Sequence, residues 1–95
     1  MSKLKIGKKY FHADDMHGWL AVKMKEIEAL GLANEISNFS YVLGKTVYLE
    51  EDVDMMKFLT AVQDAGIGKV EIRKAKHWSR SNIRGFKSYQ KPSEK

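Results

Sequence analysis

Ser40-Tyr41-Val42-Leu43-Gly44-Lys45-Thr46-Val47-Tyr48-Leu49 is the stretch on which the fold turns. β-Branched and aromatic residues run on both sides of Gly44-Lys45, and such runs around a short glycine turn predict an antiparallel hairpin. Glu50-Glu51-Asp52-Val53-Asp54 follows. Its carboxylates suit the positive end of a helix dipole, with Asp52 or Asp54 as N-cap. Beyond it, Met55, Leu59 and Val62 share one helical face, widened by Met56, Phe58, Ala61 and Ala65, and Gly66-Ile67 closes the helix. Alternation in Val70-Glu71-Ile72-Arg73 predicts a last strand, with Val70 and Ile72 turned to the core and Arg73 to the other face.

Upstream, the same order recurs. Leu4-Lys5-Ile6 and Tyr10-Phe11-His12 have strand character, interrupted by Gly7. Ala13 to Gly18 reads as a turn in which Gly18 supplies a positive φ, and Trp19-Leu20-Ala21-Val22 is the returning strand. Lys23 to Leu30 is a short helix, since Met24, Ile27 and Leu30 line one side. Gly31-Leu32 has the form of a left-handed helix ending. No Ser, Thr, Asp or Asn stands where a cap would start that helix. The reading is a single small α+β domain of two hairpin–helix units and a final strand, ββαββαβ, with a mostly antiparallel sheet and both helices on one face. Residues 1–76 form the compact part, and residues 77–95, where periodicity stops, form a basic C-terminal arm.

Composition agrees with one modest core. The chain has 95 residues, 43% hydrophobic and 31% charged, with one proline and seven glycines, which excludes collagen, low-complexity and rod-like classes. The absence of cysteine excludes disulfides, a thiol nucleophile and thiolate metal sites. No apolar run is long enough for a secretory leader or a membrane span, so a cytoplasmic setting away from membranes is expected. The net charge of +5 is an average over unlike parts. Residues 1–9 carry four lysines and no acid. Residues 10–68 carry four lysines against ten acids, and residues 69–95 carry nine Lys and Arg against two acids. An acidic body with two basic ends suggests an interaction tail, although charged ends also keep a small domain soluble.

Tyr10-Phe11-His12-x-Asp14-x-x-His17-Gly18-Trp19-Leu20, followed by Thr46-Val47-Tyr48-Leu49-Glu50-Glu51-Asp52 and by Arg80-Ser81-x-Ile83-Arg84, resembles a family of small phage- and prophage-encoded proteins of unknown function. The resemblance spans roughly residues 10–89. It departs from the family at Lys25, where a Ser or Thr would cap the first helix, and at Met16, which replaces a small turn residue. It implies a phage setting and no catalytic role; the two jobs common there are handling nucleic acid and blocking a host protein.

Three functions compete. In the first, the basic segment contacts nucleic acid, single-stranded in preference to duplex. Lys69, Arg73, Lys74, Lys76, Arg80, Arg84 and Lys87 would neutralise phosphates, and Trp78 or Tyr89 would stack on unpaired bases. The structural alternative lays the arm across the body, with Trp78, Ile83 and Phe86 filling apolar grooves and its cations on the body's carboxylates. In the second, the chain is a protein-binding module or host-factor inhibitor that uses the His12, Asp14, His17 and Trp19 loop. In the third, the chain is a small metal-binding protein or metal-dependent enzyme in which His12, Asp14 and His17 hold the metal, although no distant ligand completes the set and Asp in a turn is often there for backbone reasons. The acidic run at Glu50 is explained by a helix start, with a docking patch for a basic partner or for the chain's own tail as the alternative. Met24 with at least one of Met55 and Met56 is explained by core packing, with an exposed methionine contact surface as the alternative. No glycine-rich phosphate loop or nucleophile signature is present, so catalysis is disfavoured and no cofactor is expected. Monomer and homodimer both remain open, because small sheets leave edges that pair.

Overall fold

The computed structural model describes residues 6–13, 16–68, 70–75 and 82–92. The elements are β1 (Lys8–Ala13), β2 (Gly18–Lys23), α1 (Met24–Ala29), β3 (Tyr41–Leu43), β4 (Thr46–Glu50), α2 (Asp54–Ala65), β5 (Glu71–Lys74), a 3-10 turn (Asn82–Gly85) and β6 (Lys87–Ser88). The six strands form one sheet in the order β5-β1-β2-β4-β3-β6, antiparallel throughout except for the β1–β5 pair. This is the α+β domain the sequence predicts, with a sixth strand added at its far edge. No helix of the described residues is long and apolar enough to cross a membrane.

Strand alternation divides the sheet into two faces. Leu20 and Val22 on β2, and Val47 and Leu49 on β4, point to one side and meet Ile27, Ile36, Phe58 and Val62 from the two helices and their connections. Both helices therefore cover the same face. On that side sits Gly18, which keeps a negative φ and does not serve as the positive-φ turn residue expected of it. A Cβ there would run into the Phe11 ring, with Cε2 2.8 Å away, so glycine is required by side-chain packing and not by backbone conformation. The central hairpin turns on Gly44 at φ 61, the first-position glycine of a two-residue turn, and this sets Leu43 opposite Thr46 and Tyr41 opposite Tyr48.

Neither helix is capped at its N-terminus by a Ser, Thr, Asp or Asn side chain. The N-cap position of α1 is Lys23, whose N–H donates to Glu26 Oε1 at 2.8 Å; the third helical residue replaces the missing Ser or Thr. Glu26 is itself buried and takes the buried Lys9 ammonium at 2.8 Å, tying α1 to β1. Lys9 is therefore part of the fold and not a free cation of the basic N-terminal stretch. At the other end, Gly31 at φ 73 donates to Glu28 O and Leu32 N–H to Ile27 O, a complete Schellman ending.

Val53 holds the N-cap position of α2, so neither Asp52 nor Asp54 is its cap. Glu50 accepts the Asp52 and Val53 N–H groups at 2.9 and 3.0 Å instead. Asp54, fully buried, turns back: its Oδ2 accepts from Ser37 N–H, Ser37 O–H and Ser40 O–H, and its Oδ1 lies 3.9 Å from the Lys57 ammonium. That carboxylate fixes the loop from α1 to β3.

Of the segment read as an arm, residues 82–92 are described, and they belong to the body. Strand β6 pairs with β3, Ile83 is buried, and Tyr89 joins the main core. The Tyr89 N–H donates to Ser40 O at 2.8 Å and its hydroxyl to Ala33 O at 2.5 Å. At the opposite edge, Ile72 is 43% exposed, because among the described residues β5 is the outermost strand and is paired on its β1 side alone.

Candidate functional site

The face of the sheet away from the helices is aromatic. One row across it reads Arg73, Tyr10, Ala21, Tyr48, Tyr41 and Ser88, and the next joins His12, Trp19 and Glu50. The rings touch in sequence. His12 meets Tyr48 edge-on at 5.6 Å, Tyr48 meets Phe86 at 5.3 Å, Trp19 meets Tyr41 edge-on at 6.1 Å, and His17 lies 6.0 Å from Trp19. Such offset and edge-to-face pairs each add about 0.5–1.5 kcal/mol beyond area burial, which holds this layer in place without a helix behind it. Burial keeps the His12 pKa below the ordinary imidazole value of 6.5, because the charged ring would lose hydration that Tyr48 does not replace.

At one end this face opens into a groove of about 420 Å³ lined by His17, Trp19, Phe39, Tyr41, Glu50 and Val53, with Asp52 at its rim. Three separate segments build it: the start of β2, the approach to β3, and the β4–α2 connection. Trp19 is only 2% exposed, so it forms the floor and does not project as the anchor expected from sequence. Phe39 takes that position, 71% exposed on a backbone held by Ser37 Oγ, which accepts the Phe39 N–H at 3.2 Å.

The groove continues past Val53. A second depression of about 530 Å³ shares Asp52 and Val53 with the first and runs along α2 to Met56 and Asp64. Val53 and Met56 are 51% and 53% exposed, so three large apolar side chains lie open along one path.

Of the residues expected to contact nucleic acid, the described ones, Arg73, Lys74, Lys87 and Tyr89, do not form one patch. Arg73 is exposed on β5 and paired with Glu71 on the same strand, Nε to Oε2 at 2.6 Å. Lys74 is exposed next to it on the opposite face, and Lys87 is exposed on β6. Five strand spacings of ~4.8 Å separate β5 from β6, so these cations stand about 24 Å apart at opposite edges. Tyr89 offers no ring face for stacking, being 2% exposed and anchored at Ala33 and Ser40. Lys69, Lys76, Trp78 and Arg80 lie outside the described residues, as do Asp14 and the side chain of Arg84.

Of the loop residues proposed for partner contact, His12, His17 and Trp19 do come together on one face, with His12 half-buried on Tyr48. Among the described residues, which do not include Asp14, no three His, Asp or Glu side chains are placed to hold a metal ion. Tyr41 and Tyr48 were legible in principle, since the Gly44-Lys45 turn fixes them opposite each other. Phe39, Val53 and Met56 carry no sequence signal of their own; irregular chain places the first two, and Met56 is one of two adjacent methionines on a helix.

Comparison with protein-family models, with curated proteins and with solved structures finds no match, so the site is read from its own geometry.

Proposed function

We propose that the chain is a non-catalytic protein-binding module, and that its contact surface is the groove at the end of the aromatic face. The observation that carries this reading is Phe39, an aromatic side chain 71% exposed above a floor of Trp19 and Tyr41. Exposed apolar side chains clustered around a concavity mark interaction sites, and aromatic residues supply most of the energy in such contacts. Blocking a host factor, the role implied by the phage resemblance, is one form such a module takes. The test is a co-purification with the full chain from host lysate treated with nuclease. A stoichiometric complex is expected with the native chain and not with Phe39→Ser; a complex that survives the substitution overturns the assignment.

One observation favours contact with single-stranded nucleic acid as a second reading. Tyr10 is 51% exposed, is flanked in register by Arg73 and the small Ala21, and has Lys8 two residues along the same strand. A ring with cations beside it suits base stacking with phosphate neutralisation. Truncation behind Lys76 would remove Tyr89 from the core, so point substitutions are the proper test. Tyr10→Ala should weaken binding of a single-stranded oligonucleotide, and Arg73→Gln should reduce the salt slope by about one. A flat salt dependence in the native chain removes this reading.

A further inference from the structure

We infer that the groove running from Trp19 past Val53 to Met56 takes a basic peptide segment of a partner protein, one that alternates large apolar side chains with Lys or Arg. The inference rests on the binding-module reading and adds the chemistry of the partner.

Two properties of the groove lead to it. Its floor is apolar: Phe39, Val53 and Met56 stand open along one continuous path, with Trp19 and Tyr41 beneath the first of them. Its rim is acidic: Glu35, Glu50, Asp52 and Asp64 line it, against Lys57 as the one lysine or arginine among the described lining residues. The charges are not equally available. Lys57 is committed, donating to Glu35 O at 2.6 Å and facing the buried Asp54 carboxylate. Glu50 is committed as well, since its two oxygens accept the Asp52 and Val53 N–H groups. That leaves Glu35, Asp52 and Asp64, all exposed. Three uncommitted carboxylates around an apolar channel attract cations and repel phosphates, so a nucleic acid is the wrong partner for this groove. Rings at one end add a second preference for cations, because Lys and Arg are drawn to aromatic faces such as those of the exposed Phe39 and the half-buried Tyr41.

Burial of the apolar side chains sets how tightly the segment is held, while the carboxylates select its sign and speed its arrival. The two contributions are separable with synthetic peptides. The full chain, isotope-labelled, is titrated with a leucine–lysine peptide, a leucine–glutamate peptide of the same pattern, a lysine-only peptide and a single-stranded oligonucleotide. The leucine–lysine peptide is expected to bind and to shift the resonances of Phe39, Val53 and Met56. Its affinity should fall about tenfold in Asp52→Lys and by a similar factor in Met56→Ser, and it should weaken as salt is raised. Asp52 and Met56 are exposed side chains, so both variants keep the fold, which their unchanged melting temperatures would confirm.

Four results overturn the inference: equal binding of the leucine–glutamate peptide, equal binding of the lysine-only peptide, oligonucleotide shifts at the same residues, or no peptide binding at all. Concentration-dependent shifts of the groove in the chain alone would also overturn it, by making a second copy the occupant. The binding-module reading is judged separately, by whether Phe39→Ser abolishes the lysate complex. If that complex is lost while the leucine–glutamate peptide binds as well as its basic counterpart, the groove binds protein and only the charge assignment fails.

Discussion

The two faces of this sheet are built from the same strands and differ in what they need from the rest of the chain. The helix-covered face is aliphatic, and its residues are buried by distant segments: Leu20, Val47 and Leu49 depend on Ile27, Ile36, Phe58 and Val62. The open face is aromatic and largely covers itself, ring on ring from His12 to Phe86 and from His17 to Tyr41. Stability concentrates on the first face, and on the second the rings leave a surface that still offers contact. Among the described residues no α-helix covers this second face, and wide flat side chains cover it instead.

The sharpest test of this contrast sets one phenylalanine against another. Phe58 is fully buried and Phe39 is 71% exposed. Phe58→Ala should cost about 3–5 kcal/mol in thermal or denaturant unfolding, as core truncations of this size do. Phe39→Ser should stay within about 0.5 kcal/mol, as surface changes do, while abolishing partner capture. Similar losses for the two would erase the distinction between the faces.

The charged pair in the aliphatic layer comes next. Glu26→Gln should cost about 3 kcal/mol, the lower end for a broken buried pair, because glutamine still accepts the Lys23 N–H. Joining it to Lys9→Met should restore much of the loss, since the stranded ammonium goes with it; a double variant no better than the single one would contradict this. Gly18→Ala is expected to be milder, about 1–3 kcal/mol, from a methyl forced against the Phe11 ring. Phe11→Leu made with it should relieve most of that cost, and additivity of the two changes would show that the ring is not the obstacle.

The smallest effect belongs to the aromatic face. His12 in the folded chain holds its proton less tightly than the ordinary value of 6.5. As pH falls below 6.5 the unfolded chain protonates first, so stability is full above that value and declines as pH drops towards the folded pKa. His12→Phe should flatten this slope in unfolding curves taken between neutral and mildly acidic pH, and an unchanged slope would assign the effect to another group.

Reading the sequence alone recovers the periodic elements and misses what depends on long-range partners. The hairpin at Gly44-Lys45 and the ending at Gly31-Leu32 are local and stand as expected, as does the inner face of α2 at Phe58 and Val62. Met56 and Ala65, expected to widen that face, are exposed. The start of α1 was obscure because its cap is Glu26, whose burial depends on Lys9, 17 residues away. The first turn of α2 misled for a related reason: Asp54 serves a loop and leaves Glu50 to hold the helix start. Most consequential was the C-terminal segment. Its charge and lost periodicity suggested an arm, yet Tyr89 reaches across 56 residues to Ala33, a partner that no window of sequence contains. For the same reason the candidate site moved from the basic end to a groove assembled by three distant segments.

That contact has a consequence for the order in which the molecule is made. Ala33 and Ser40 are synthesised long before Tyr89, and until residue 89 arrives their carbonyls have only water to bond. Strand β1 waits likewise for β5, since Lys8 pairs in register with Glu71. An emerging chain can form the β3–β4 turn and the two helices as it goes, but neither edge of the sheet can close until its late partner is out. The domain therefore closes only after residues 71–89 have emerged, and until then its half-built sheet shows open edges to its neighbours in the cell.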